Sequence, residues 1–166
     1  MKNEKGFSLI ELLIVVAIIG IIAAIAIPNL LKSRQAANEA SAIGSTRTLG
    51  TAQATYQSTR GKGKDFAANL AALQADNAID TALGGGVKSG FTFTCAGVAS
   101  TSAGVPSYFD TTAVPQSTGN FGTGNRSFYS NETYVVYQQD GSVTGAWGTA
   151  APPGTRLPSS PAVPIE

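Results

Sequence analysis

The feature that most constrains this chain is an apolar block close to its first residue. The block from Phe7 to Ile27 is 21 residues long and contains 14 large apolar side chains and one charged residue, Glu11. An α-helix rises about 1.5 Å per residue, so the block would span roughly 31 Å, close to the hydrocarbon thickness of a bilayer. The sequence therefore predicts a membrane-spanning helix from Phe7 to Ile27.

Glu11 is the unusual residue of this block. A carboxylate near the centre of a spanning helix costs about 2.5–3.5 kcal/mol on insertion scales. The large apolar residues together contribute roughly 4–8 kcal/mol in the opposite direction, so the segment is expected to insert. Two interpretations remain: the side chain lies at the headgroup boundary, or it pairs with a cation that another chain supplies. We favour the second, because a buried unpaired charge is strongly unfavourable.

Composition narrows the classes of function. The chain has no histidine, which removes the most common general base and metal ligand. Its one cysteine, Cys95, permits neither an intrachain disulfide nor a thiolate metal cluster. Charged residues make up 13% and the formal net charge is +1, so nothing global indicates an acidic partner. These absences exclude Ser/His/Asp, Cys/His and zinc-type sites. A Ser/Lys or paired-carboxylate enzyme stays possible by composition, but no spacing indicates one, so we expect no enzymatic activity, cofactor or metal.

The same apolar block is also compatible with an export signal or a simple anchor for a binding module. Ala24 to Ala26 is a small-residue site of the kind that signal peptidase cleaves, and it ends an apolar stretch that begins at Leu12. Cleavage there would release a secreted binding module that starts at Ile27. The same module could also stay tethered by the uncleaved helix. Basic residues do not decide the orientation of the segment, since two precede it and two follow it closely.

The string from Gly6 to Leu12, GFSLIEL, carries a more specific resemblance. With its basic leader, the apolar run behind it and Pro28 farther on, it resembles the class III signal sequence of type IV pilins and pseudopilins. The order of predicted elements, a spine helix followed by a connecting loop and a sheet, resembles pilins of the type IVa kind. The resemblance implies that a prepilin peptidase and methylase removes residues 1–6 by cutting between Gly6 and Phe7, and then methylates the new Phe7 terminus.

The same resemblance implies how the chain is used. Glu11 would pair with the terminal amine of Phe7 in a neighbouring subunit, so that copies of the chain form a helical filament. Before assembly the chain would lie in lipid of the bacterial inner membrane, as a single pass with a cytoplasmic N-terminus. An inner-membrane platform and an ATPase motor would then extract it into an extracellular pilus for adhesion, motility or DNA uptake. The alternative within this family is a pseudopilin of a type II secretion system.

Beyond the block, the pattern predicts one long helix and a sheet. We expect a spine helix over residues 7–58, with a kink at Pro28, where the backbone lacks an amide donor. Its second half should pack through one narrow stripe, because apolar and small residues recur at spacings of three and four. The residues of that stripe are Ala42, Ser45, Leu49, Ala52 and Tyr56.

Residues 59–90 are predicted to form the connecting αβ-loop. The cationic stretch from Arg60 to Lys64 could contact headgroups, DNA or an acidic partner, but we favour a solvated loop, which leaves nucleic acid as a disfavoured partner. A short amphipathic helix is expected from Phe66 to Asp76. The three glycines from Gly84 to Gly86 are interpreted as a flexible connection.

Residues 91–147 are predicted to form a small antiparallel sheet on the long helix, giving an α+β, pilin-like fold. Alternation from Phe91 to Cys95 predicts a strand with Cys95 on its apolar face. Asp140 and Gly141 predict a hairpin that returns through residues 142–147. The Pro-rich tail, residues 148–166, is expected to be extended or mobile, since one cysteine cannot close it. Further strands are expected at Tyr108–Val114, Ser127–Ser130 and Tyr134–Gln138.

Overall fold

The structure is a computed structural model that describes residues 6–100, 106–141 and 163–165. Helix α1 comes first and is followed by two short helices and six strands, which form one antiparallel sheet in chain order. This confirms the predicted α+β class, a long N-terminal helix packed on an antiparallel sheet. The elements are α1 Leu9–Thr59, α2 Leu70–Ala75, α3 Thr81–Gly84, β1 Val87–Lys88, β2 Phe91–Val98, β3 Tyr108–Pro115, β4 Arg126–Asn131, β5 Val136–Asp140 and β6 Val163–Pro164.

Helix α1 packs on the sheet through its C-terminal half only. The predicted stripe is confirmed: four of its residues are buried and the last, Tyr56, packs against the core. Because small side chains dominate this stripe, the helix backbone can approach the strands closely. The helix is continuous through Pro28. A kink at that residue remains a prediction. The buried stripe residues are Ala42, Ser45, Leu49 and Ala52.

Strand β2 confirms the period-two prediction. Its side chains alternate between buried and exposed positions from Phe91 to Ala96, and Cys95 lies on the buried face with Phe91 and Phe93. Phe91 faces Phe128 of β4 with ring centroids 5.9 Å apart. These residues form the layer against which the stripe of α1 packs.

The connection between helix and sheet is more ordered than the sequence predicted. The cationic stretch forms the expected exposed turn after α1, and Arg60 pairs with Asp76 at 3.0 Å. The amphipathic helix is shorter than predicted, since Asn69 caps it by accepting a bond from the Ala72 amide at 2.9 Å. The flexible-linker interpretation of the three glycines is wrong. The first of them ends α3, and Gly86 takes a positive φ of 77° that turns the chain into β1.

Strand β5 also starts later than predicted. Tyr134 was expected within it, but this residue has a φ of 60° and belongs to a turn in which its amide donates to Asn131 at 2.9 Å. The Asn131 side chain closes that turn by accepting a bond from the Thr133 amide at 3.0 Å. Asparagine competes with strand pairing through such local bonds, which explains the displaced boundary.

Strand β6 forms one edge of the sheet. Strand β6 pairs antiparallel with β5, and the Ile165 amide donates to the Val136 carbonyl at 2.8 Å. The Ile165 side chain packs against the core. Pairing and packing, without a disulfide, therefore hold this part of the tail, which is extended as expected. The predicted hairpin return through residues 142–147 lies outside the described residues.

Candidate assembly helix

The start of α1 brings the predicted processing residues and the assembly charge together. Gly6 and Phe7 precede the helix and are exposed, and Ser8 occupies the N-cap position in an extended conformation. Glu11, in the first turn, accepts a hydrogen bond from the Ser8 amide at 2.9 Å. The bond between residues 6 and 7 is thus outside the helix, where a peptidase could reach it.

Within its own chain, Glu11 stabilises the helix start. The first amides of a helix have no partner within it, and the carboxylate satisfies one of them while it faces the positive end of the helix dipole. No ion pair of the described residues includes Glu11. The Ser8–Glu11 pair is a capping-box motif, S-x-x-E, which could have been recognised in the sequence.

The N-terminal half of α1 presents an apolar surface on all sides. All 14 large apolar side chains of the predicted spanning block are exposed, from Phe7, at 88%, to Ile27. Of the helices in the described residues, α1 alone is long and apolar enough to cross a membrane. An apolar surface of this extent needs lipid or other protein around it, because single soluble molecules rarely expose one.

Polar side chains that the sequence did not predict attach α1 to the sheet. Glu39 is buried and accepts bonds from Arg126 Nε at 2.8 Å and from the Asn125 amide at 2.8 Å. Arg126 also donates to Gln138 of β5 at 2.7 Å. The available signal was the position of Glu39, three residues before Ala42 on the predicted stripe, where a charged residue requires a buried partner.

A second polar attachment lies nearer the end of α1. Gln53 is fully buried, and its amide group donates to the Ala67 carbonyl at 3.0 Å and accepts from the Ala67 amide at 2.8 Å. It also donates to Cys95 Sγ at 2.9 Å. Burial raises the pKa of the Cys95 thiol to about 11 despite the bond from Gln53. The predicted interpretation of Cys95 as a small buried residue is confirmed.

The described residues offer no metal centre, since they contain no cluster of three histidine, cysteine, aspartate or glutamate side chains that could hold an ion.

Comparison with known proteins finds similarity mainly in the N-terminal part of the chain. Residues 1–27 match the family described as the prokaryotic N-terminal methylation motif. The chain is 48% identical over 65 residues to a type IV major pilin protein of Myxococcus xanthus, covering 39% of this chain and 30% of the relative. It is 67% identical over 39 residues to a type IV wide pilus major component of Thermus thermophilus, covering 24% of this chain and 30% of the relative.

A fimbrial protein of Pseudomonas aeruginosa is 79% identical over 29 residues, which cover 18% of this chain and 19% of the relative. The chain thus spans under a third of the length of these relatives. No solved structure matches it significantly. The matched N-terminal segment and the long helix on an antiparallel sheet together make the chain similar to type IV pilins with a class III signal sequence.

Proposed function

We propose that the chain is a structural subunit of a type IV pilus, assembled as a homo-oligomeric helical filament through the N-terminal half of α1. The observation that carries the proposal is the apolar surface of residues 7–27, which is exposed all round and carries one charge. Lipid covers this surface before assembly, and the same surface of other subunits covers it afterwards. Burial of large apolar side chains is favourable in both settings, so transfer between them is feasible.

The charge of Glu11 makes the packing between subunits in the filament specific. A prepilin peptidase and methylase removes residues 1–6 and leaves an amine on Phe7. A neighbour's Phe7 amine then neutralises Glu11, whose carboxylate lies in the first helical turn. A carboxylate left unpaired in an apolar bundle is strongly unfavourable. The pair therefore sets the axial register of adjacent helices as well as adding attraction.

Location and partners follow from this scheme. The precursor lies in the inner membrane as a single pass with its N-terminus in the cytoplasm, and the sheet lies on the outer side. An assembly platform and its ATPase motor move it into an extracellular filament. The chain itself has no proposed catalytic role and needs no cofactor.

Two measurements test the proposal. Mass spectrometry of the mature N-terminus should find methylated Phe7, whereas a chain starting at Ile27 would contradict the anchor. Electron microscopy of fibres sheared from the cell surface should show filaments that antibodies against this chain decorate. A deletion strain that keeps its surface fibres but no longer releases exoproteins would instead assign the chain to a secretion pseudopilus.

A further inference from the structure

The loop between β3 and β4, residues 116–125, carries the most exposed large apolar side chain of the described residues that follow α1. Phe121, at 83% exposure, lies at its tip. This ring borders a groove of about 540 Å³ whose other wall is formed by Ile27, Pro28 and Leu31 of α1. Ile27 is the last residue of the apolar block, so the fold brings a distant aromatic residue to the end of the spanning segment.

The loop is held in this position by polar side chains of α1. Gln35, which is buried, donates to the carbonyls of Gly119 at 2.6 Å and Gly122 at 3.1 Å, one on each side of Phe121. Asn38 donates to the Thr123 carbonyl at 3.0 Å. Backbone bonds inside the loop, such as Gly122 to Gly119 at 3.0 Å, fix its turn. The outward direction of Phe121 is therefore built into the fold.

The exposed charges beside the groove are basic: Lys32 lines the groove, and Arg34 is exposed nearby on the helix. The carboxylate of Glu39 accepts from the amide of Asn125 in the groove wall, but it is buried and paired with Arg126. Residues 12–38 of the helix and 111–131 around the loop contain no aspartate or glutamate. An apolar ring beside cations, at the depth where the hydrocarbon layer ends, matches an anionic lipid surface, where basic residues are attracted to headgroups.

We propose that the loop of residues 116–125 is a membrane-contact element, in which Phe121 inserts into the headgroup boundary of an anionic bilayer beside Pro28 and Lys32. The inference rests on the proposed membrane-held precursor. It adds a second contact to the anchor, so the sheet would be held at a fixed depth and orientation on the lipid surface. The loop would leave the lipid when the subunit enters a filament.

The test uses the full chain in vesicles that contain phosphatidylglycerol, at a low protein-to-lipid ratio. Trp147 is the only tryptophan, so Trp147→Phe gives a background into which single tryptophans are placed. Phe121→Trp reports on the loop, Ile18→Trp on the anchor, and Val98→Trp on the far end of the sheet. Val98 is a matched control because it lies far from the loop. Cys95 of the same strand bonds to Gln53, which lies roughly 27 Å farther along α1 than Gln35, the residue that holds the loop.

For Phe121→Trp we expect an emission shift to shorter wavelength and a loss of intensity with lipids brominated near the headgroup, larger than with lipids brominated near the chain end. Val98→Trp should show neither effect. If Ile18→Trp is quenched and Phe121→Trp stays water-like, the loop proposal is wrong and the anchor stands. If Ile18→Trp is not quenched, the anchor itself fails. A blue shift without lipid quenching that grows with protein density would show a second copy on the loop and would also overturn the proposal.

Discussion

Arg126 Nη2 lies 2.7 Å from Glu39 Oε2, although the two residues are 87 positions apart. Glu39 also accepts the backbone amides that open β4. One carboxylate on α1 therefore fixes both the start of a central strand and the arginine that reaches β5. This contact is one of the polar attachments that fix the position of the sheet along α1.

Removing the charge of Glu39 should weaken the fold. We expect Glu39→Gln to lower the free energy of unfolding by about 1–3 kcal/mol, in the range for hydrogen bonds to charged groups. The larger losses known for fully buried pairs do not apply, because the Arg126 side chain is 38% exposed and water can solvate it. Denaturant unfolding of the full chain in detergent, followed by circular dichroism, measures the change.

The matched control is Arg60→Gln, which breaks an ion pair whose arginine is mostly exposed. Such pairs contribute about 0–1 kcal/mol. If both variants lose the same small amount, the Glu39 contact is not the attachment described above.

Replacing Gln53 by an apolar residue of similar size should destabilise the fold. Gln53→Leu leaves the buried amide and carbonyl of Ala67 without partners, and each unsatisfied group costs about 1–3 kcal/mol. We expect a loss of roughly 2–4 kcal/mol in unfolding free energy. Gln57→Leu is the control, since that side chain makes one long bond of 3.5 Å to Lys64. An equal effect of both substitutions would contradict the stabilising role of the bonds between Gln53 and Ala67.

Cys95 should react slowly with thiol reagents near neutral pH and make the fold sensitive to alkali. Its pKa is raised to about 11 in the folded chain from an ordinary 9.0. Because the unfolded thiol ionises first, its contribution to stability is complete below pH 9 and is lost as pH rises toward about 11. Alkaline unfolding of the parent and of Cys95→Ala isolates this effect from the titration of other groups.

In that comparison, the parent should lose more stability between pH 9 and 11 than Cys95→Ala does. Parallel pH dependences, or rapid labelling of Cys95 in the native chain at pH 8, would contradict the buried position.

The short C-terminal strand should contribute to stability through Ile165. Ile165→Ala removes a side chain that is only partly buried, so we expect a loss of about 1–2 kcal/mol, below the range for full burial. Val163→Ala, at an exposed position of the same strand, should change the unfolding free energy by less than about 0.5 kcal/mol. Equal effects at both positions would mean that packing does not hold this strand.

The elements with a clear period could be predicted from the sequence. The stripe of α1 and the alternation of β2 depend on local spacing, which the chain displays directly. The GFSLIEL string that begins at Gly6 and the apolar run behind it are specific enough to indicate the family by themselves. Short elements such as α3 and β1 carried too few residues for a periodic signal.

Contacts between distant segments could not be predicted. Glu39 meets Arg126 because the chain between them, which includes β1 to β3, folds back onto α1. A single sequence does not state which residues such a fold brings together. The position of Phe121 depends on the path of its loop, which Gln35 determines from another element. Strand β6 is defined by two paired residues in a Pro-rich tail, where composition indicates extended chain but gives no register.

The proposed role of Glu11 lies in assembly between subunits and not in membrane insertion. Its most direct test is electron microscopy of sheared surface filaments from cells that express Glu11→Val, with immunoblots of the membrane fraction and Ile14→Val as the control within the same helix. We predict that Glu11→Val accumulates in the membrane at normal or higher levels but forms few or no filaments, while Ile14→Val assembles normally. Filaments of normal number and length from Glu11→Val cells would contradict the account.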